Sequence, residues 1–430
     1  MKLERAPLIF AVLAISVHNA DAEDWPQWRG PRGDGTWNAP DVVEKWPENG
    51  LRTVWKQPSG GGYAGVIVAE GRVYNADRIK EPKEIERLQC FDVVTGNLFW
   101  THADPVEYGM LDYGNGPRAA PTVVDGKVFT VGAVGQLTCL DATTGAPVWS
   151  KHLVSDFHGR MPTWGFAASP FVYGDFVIVT PGAAEGGSIV ALDRDTGNIA
   201  WKCLSDESTY ATPILVRHGN RDQLICWTPS HIRSLDPRSG TVLWSVPYAV
   251  NLGVSIATPN FHRDTVVVSG YWDGARGIRL GSTANDAKLA WESRQELCGL
   301  MSQPLCRNGY GYLLTKSLGL VCFDIATGKK VWDDGNQLTP RGRNPQATLV
   351  WLNNVPDVLR SDREETPDRA IILNSDGELI LATLNREGYH EQSRTKIIGE
   401  TWAHPAYAGR HVFARSDSEL ICVELPTVEK

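Results

Sequence analysis

A turn ending in a tryptophan, repeated along the chain, restricts this sequence more than any other feature. Asp92, Gly96 and Trp100 mark the first copy, and Asp141, Gly145 and Trp149 the second. Asp193, Gly197 and Trp201 follow, then Asp236, Gly240 and Trp244, and finally Asp324, Gly328 and Trp332. In each copy Gly stands four positions after Asp, Trp four positions after Gly, and Thr or Ser directly before the Gly. A degenerate copy has Asp286-Ala287 in place of Thr-Gly and ends at Trp291. The steps between successive tryptophans are 49, 52, 43, 47 and 41 residues. Periods of this size mark stacked structural units rather than one irregular core.

The chemistry of each copy is local. An Asp carboxylate accepts hydrogen bonds from backbone N–H groups two residues on, and Gly supplies the positive φ that closes a hairpin. The residues on either side are apolar and β-prone, so each copy reads as two antiparallel strands around a tight turn. The Trp is a large apolar body suited to packing between one unit and the next. A ligand-stacking role for these tryptophans is the alternative, but a ligand does not require one per unit.

A second ladder has the same period. Pro121, Pro170, Pro213, Pro259, Pro304, Pro345 and Pro405 each precede an apolar strand, and Tyr63-Ala64-Gly65 holds the same place before the first. Strand pairs such as the one around Asp125-Gly126-Lys127 complete each unit. Eight units of four short strands predict an all-β, eight-bladed β-propeller of antiparallel blades, with seven blades as the competing count. The last unit lacks a fourth strand and a Trp, whereas Leu51–Lys56 has a Trp-ended strand with no unit before it. Thr53–Lys56 is therefore expected to pair with Leu420–Leu425 and close the ring. The domain reading is an N-terminal extension over 23–50 and one propeller over 51–430.

Residues 1–22 read as an export signal. Lys2 and Arg5 precede the apolar run Leu8–Val17, and Ala20-Asp21-Ala22 offers small residues for cleavage after Ala22. A buried N-terminal helix is the alternative. No Cys follows the run, so lipidation at a new N-terminal Cys is not expected, and no other stretch is long and apolar enough to span a bilayer. A net charge of −8 argues against a nucleic-acid partner.

The Asp-x-x-Thr-Gly-x-x-x-Trp copies resemble the pyrroloquinoline-quinone (PQQ) type repeat of quinoprotein dehydrogenases and of the outer-membrane-protein assembly factor BamB. Trp25-Pro26-Gln27-Trp28-Arg29-Gly30-Pro31, Gly342-Arg343-Asn344-Pro345-Gln346 and Glu387-Gly388-Tyr389 are similar to segments of secreted PQQ-binding-like propeller proteins. The resemblance implies the fold over nearly all of residues 23–430. Two departures bear on function. Quinoprotein alcohol dehydrogenases place two adjacent cysteines beside the cofactor and hold calcium with Glu, Asn and Asp. This chain has no adjacent cysteine pair and no motif matching those ligands or the catalytic Asp. BamB is a lipoprotein, and the lipidation Cys is missing here.

Residues just before the inner strands converge on the axis of a propeller, the default site for a ligand or partner. They include Arg118, Trp164, Tyr210, Arg343, Asn344, Trp402 and His404. Arg118 and Arg343 with Trp164 and Trp402 suit an anionic, planar ligand such as PQQ. Alternatively, the tryptophans pack loops and the arginines pair with turn carboxylates. Cys90, Cys139, Cys322 and Cys422 share one buried slot and are expected to be free thiols, whereas a disulfide among Cys203, Cys226, Cys298 and Cys306 stays open. The segments Asp77–Arg87 and Asn354–Arg369 read as solvated insertions. The functional expectation is an exported, monomeric, non-enzymatic scaffold that meets a protein partner through loops or blade edges, with no catalytic or metal-ligating residues. A PQQ-dependent oxidoreductase with calcium, acting on an alcohol or sugar, is the second class.

Overall fold

In a computed structural model describing residues 23–39, 41–352 and 368–428, the repeated turn is the joint between blades. The Asp92 carboxylate accepts from the backbone N–H of Val94 at 3.1 Å and of Thr95 at 2.7 Å, and from the Thr95 hydroxyl at 2.8 Å. Asp141 and Asp193 repeat the pattern. The glycine that closes the turn is required twice. Gly145 has φ +72°, and a Cβ there would lie 2.5 Å from the Trp100 ring.

That second constraint shows what the tryptophan does. Trp100 Nε1 donates to the Ala142 carbonyl at 3.1 Å, one residue past the Asp of the next blade. Trp55, Trp149, Trp201 and Trp291 reach Val93, Arg194, Pro237 and Ile325 in the same way. Trp332 reaches Asn385 of the seventh blade. Trp244 differs: its Nε1 donates to Gln223 Oε1 of its own blade at 3.0 Å. The turn that should receive it is the degenerate one, where Asp286-Ala287 provides no glycine seat. The irregularity noted at Trp291 thus displaces the partner of Trp244, and Trp291 itself packs normally on Gly328.

Eight sheets result. Seven have four strands, and the eighth gains a fifth through Thr36–Trp37, which runs parallel to Ala347–Leu352. The first blade holds Ile67–Ala69, Arg72–Ile79, Ile85–Asp92 and Leu98–Pro105, from axis to rim. The last holds Ala406–Ala408, His411–Arg415 and Glu419–Glu424, and takes its outer strand from Arg52–Pro58. The register runs from Arg52 opposite Glu424 to Pro58 opposite Glu419, with a bulge between Thr53 and Trp55. Eight blades, not seven, close the ring. Arg415, fully buried, adds a clamp across the seam by donating to the carbonyls of Ala76 and Gly60. Among the described residues no helix is long and apolar enough to cross a membrane.

One reading needs correction. Asp77–Arg87 is not a solvated insertion. Both strands of the first blade run through it, leaving only residues 80–84 as connector. Asp77 is buried, pairs with Arg87 at 2.7 Å and accepts from Gly60 N–H at 2.6 Å. Its charge belongs to a buried pair, which mixed-sign composition cannot distinguish from a polar loop. The described part of the N-terminal extension packs on the ring. Trp25 and Trp37 are buried against Tyr407, and Trp25 pairs through its backbone with Val68. Cys90, Cys139, Cys203, Cys226, Cys298, Cys322 and Cys422 are free thiols, and burial pushes those of Cys90, Cys139, Cys322 and Cys422 up to about 12. Residues 1–22, with the cleavage site after Ala22, and most of Asn354–Arg369 lie outside the described residues.

The turns carry a pH signature. Hydrogen bonds from Thr95 and Thr144, and likewise from Thr196, hold the Asp92, Asp141 and Asp193 carboxyls below the ordinary carboxylate range. A group whose folded pKa is depressed stabilises above its unfolded value and loses that contribution as pH falls through the folded value. The melting temperature should therefore be flat near neutrality and fall below about pH 4. A protein carrying D92N, D141N and D193N together should show a shallower acid slope in scanning calorimetry. An unchanged slope would assign acid sensitivity to other groups.

Candidate functional site: the axial mouth

The proline ladder starts the inner strands at one end of the ring, so the residues before it surround the axis. They enclose a cavity of about 360 Å³. Arg118, Trp164, Tyr210, Arg343, Asn344, Trp402 and His404 all line it. Trp28 lines it too, brought there by the N-terminal segment, which the backbone of Val123 holds through Pro26. The Trp28 indole donates to Thr258 Oγ1 at 2.8 Å, and its ring lies 4.1 Å from that of His404. Arg29, beside it, is buried and donates to the carbonyls of Asp34 and Pro304 at 2.9 and 3.1 Å. Burial pulls the Arg29 guanidinium down to about 10, so it stays charged at neutral pH. Burial, with Arg29 nearby, pushes His404 down to about 3 and keeps the imidazole neutral.

Aromatic rings form much of the wall. Trp402 sits between Tyr63 and Tyr113, 5.7 Å from each. Trp164 and Tyr210 are 5.8 Å apart, and the Trp164 backbone N–H donates to the Tyr210 hydroxyl at 3.4 Å. Asn344 links loops from different blades. Its Oδ1 accepts from the Tyr271 hydroxyl at 2.6 Å, and its Nδ2 donates to the Tyr113 hydroxyl at 3.3 Å.

The two arginines differ from each other. Arg118 donates to the carbonyls of Gly116, Asp112 at 3.0 Å and Tyr113 at 2.7 Å, and lies over the rings of Tyr63 and Tyr108. It braces the loop before the second blade instead of presenting an open fork to a ligand. Arg343 is exposed at the rim. Sequence reasoning missed Trp28, Tyr63, Tyr113, Tyr271, Gln303 and Gln346 at this site. Gln303 and Gln346 flank Pro304 and Pro345, the same ladder that located the other residues. Nothing local marked Trp28, which reaches the mouth only because the N-terminal segment packs inside the ring.

Calcium with PQQ is a poor match for this wall. Calcium takes six to eight oxygen ligands, several of them carboxylates. Among the described residues Asp112 is the single carboxylate lining the cavity, and no cysteine does. Among the described residues no group of three or more His, Cys, Asp or Glu side chains could hold a metal ion.

The fold and its repeats agree with known proteins. BamB from Moranella endobia (strain PCIT) is 23% identical over 228 residues, which is 49% of this chain and 56% of that protein. Quinohemoprotein alcohol dehydrogenase from Comamonas testosteroni is 26% identical over 204 residues, which is 44% of this chain and 27% of that protein. The chain thus spans little more than half of the one relative and about a quarter of the other. The crystal structure of BamB from Moraxella catarrhalis shares the fold with a TM-score of 0.60 at 17% identity, over 88% of this chain and 99% of that one. The family profile described as outer membrane protein assembly factor BamB matches residues 84–332 and 235–429, most of the ring. On that match and the closed eight-bladed ring, the chain belongs to the BamB family of PQQ-repeat propellers.

Proposed function

We propose that this protein is an exported, non-enzymatic scaffold of the BamB type that meets a protein partner at its mouth. One observation carries the reading. The loops around the cavity expose large apolar side chains: Met110 at 100%, Leu252 at 73%, and also Tyr113, Met161 and Trp272. Exposed large apolar side chains on loops around one mouth offer a surface for a protein partner. The export-signal pattern of residues 1–22 and the name of the family support an envelope location. The oxidoreductase reading has the weaker footing, because the cavity wall lacks a calcium donor set.

Site-specific photocrosslinking tests the scaffold. A photoreactive residue at position 110 or 252, in the full-length protein in its own cells, should capture an outer-membrane assembly protein, identified by mass spectrometry. The same group at position 331, on an outer strand, should capture none. Adducts at 331 alone would move the contact to the blade edges, and adducts at no position would overturn the reading. Absorbance change and dye-linked alcohol oxidation on adding PQQ with calcium would restore the oxidoreductase.

A further inference from the structure

We propose that residues 23–37 form a detachable axial plug, which seats in a ring already closed and leaves as one unit toward the face opposite the mouth. The segment is bonded to itself. Gly30, at φ +88°, turns the chain, and a Cβ there would lie 2.7 Å from the Trp25 ring. Arg29 donates to the Asp34 carbonyl at 2.9 Å, and its own carbonyl accepts from Gly35 N–H at 3.0 Å. Where the segment begins and ends, Glu23 pairs with Arg32 at 2.6 Å, and the Glu23 carbonyl accepts from Trp37 Nε1 at 3.3 Å. These bonds make a doubled-back loop that holds its shape without the blades.

Both ends of the loop lie at one face of the ring. Inner strands start at the mouth, so Ala69 and Leu352, which end two of them, lie at the opposite face. There Glu70 N–H donates to Asp24 at 2.8 Å, and Trp37 stands opposite Leu352. The tip reaches the mouth, where Trp28 lines the cavity and Arg29 donates to the Pro304 carbonyl at 3.1 Å. A loop with both ends at one face threads nothing, so it withdraws without opening the ring. The ring is complete without it, because Thr36–Trp37 is a fifth strand and every blade keeps four when it leaves. The bonds to inner strands are few. Trp25 N–H donates to the Val68 carbonyl at 2.8 Å. The N–H groups of Val68, Val123 and Trp351 donate to the carbonyls of Trp25, Pro26 and Gly35 at 3.0, 2.8 and 2.9 Å. Burial of Trp25 and Trp37 favours the seat, whereas burial of the Arg29 cation opposes it. Withdrawal extends the cavity along the axis, so the plug sets its depth.

Hydrogen exchange on the full-length protein, resolved to single residues by mass spectrometry, tests the plug. The buried, bonded amides of Trp25, Gly30 and Gly35 should exchange in step with those of Val68, Val123 and Trp351, whose acceptors lie on the segment. All six should exchange about tenfold or more faster than the second strands Thr265–Gly270 and Tyr310–Thr315 of the fifth and sixth blades. Thr258→Val keeps the side-chain size but removes the acceptor of the Trp28 indole. It should speed the six amides by about fivefold or more and leave the second strands unchanged. The comparison within the unaltered protein holds whether or not that variant folds. Exchange of the six at the rate of the second strands would make the segment an integral part of the ring and overturn the proposal. Exchange of the segment without its three inner-strand partners, or a Thr258→Val variant that speeds all strands alike, would overturn it too. The scaffold reading concerns the exposed loops and stands or falls on its crosslinks alone.

Discussion

A chain shortened to begin at residue 59 should fail to yield soluble protein with a cooperative melting transition. Arg52–Pro58 is the outer strand of the last blade, and its loss exposes the edge of Glu419–Glu424. Leu420, Ile421, Cys422 and Val423 of that strand are buried, so an open edge there is a template for aggregation. The loss also removes Trp55, which seats on Gly96 of the first blade and joins the two chain ends. A chain that begins at residue 51 separates closure from the inner packing. It keeps the closing strand but loses Trp25 and Trp37, both buried, each worth about 3–5 kcal/mol by the cost of removing a core tryptophan. It should remain soluble where conditions allow and melt well below the longer protein. Size-exclusion chromatography and calorimetry distinguish the cases. A soluble chain from residue 59 with an unchanged melting curve would show that the ring does not depend on this strand.

Trp100→Ala should destabilise the protein by about 3–5 kcal/mol in chemical denaturation, the range for a large aromatic removed from a core. Trp100 is 9% exposed, packs on Gly145 and donates to Ala142. Trp149 makes the same kind of contact but is only half-buried, so its replacement should cost less. Trp164→Ala should cost less still, because its ring borders the cavity and holds no turn of a neighbouring blade. Gly145→Ala probes the seam from the other side, forcing a Cβ into the Trp100 ring at an unfavourable φ. Equal losses at Trp100 and Trp164 would mean that the repeated tryptophan is not the joint between blades.

The amino-acid sequence by itself determined the parts of this protein that depend on near neighbours. Asp92, Thr95 and Gly96 form their turn within five residues, and the same bonds recur at Asp141, Asp193 and Asp324, so period and blade count were legible. Closure was legible because a strand without a blade and a blade without a strand must meet. The proline ladder even located seven cavity residues, since each stands just before a strand that starts at the axis. What only the tertiary structure decided depends on groups far apart in the chain. Trp28 reaches the mouth because its segment packs against Val68 and Val123 and bonds to Thr258. Trp244 changes partner because a turn in the next blade lacks its glycine. Arg118 reads as a partner for an anionic ligand or for turn carboxylates, whereas carbonyls of its own loop engage it. Gln303 and Gln346 are buried beside the cavity, each with one end of its amide hydrogen-bonded to Met301 or Ser302, partners that no spacing in the sequence reveals. Turn chemistry is written in spacing, whereas the state of a buried polar atom is set by every group that packs around it.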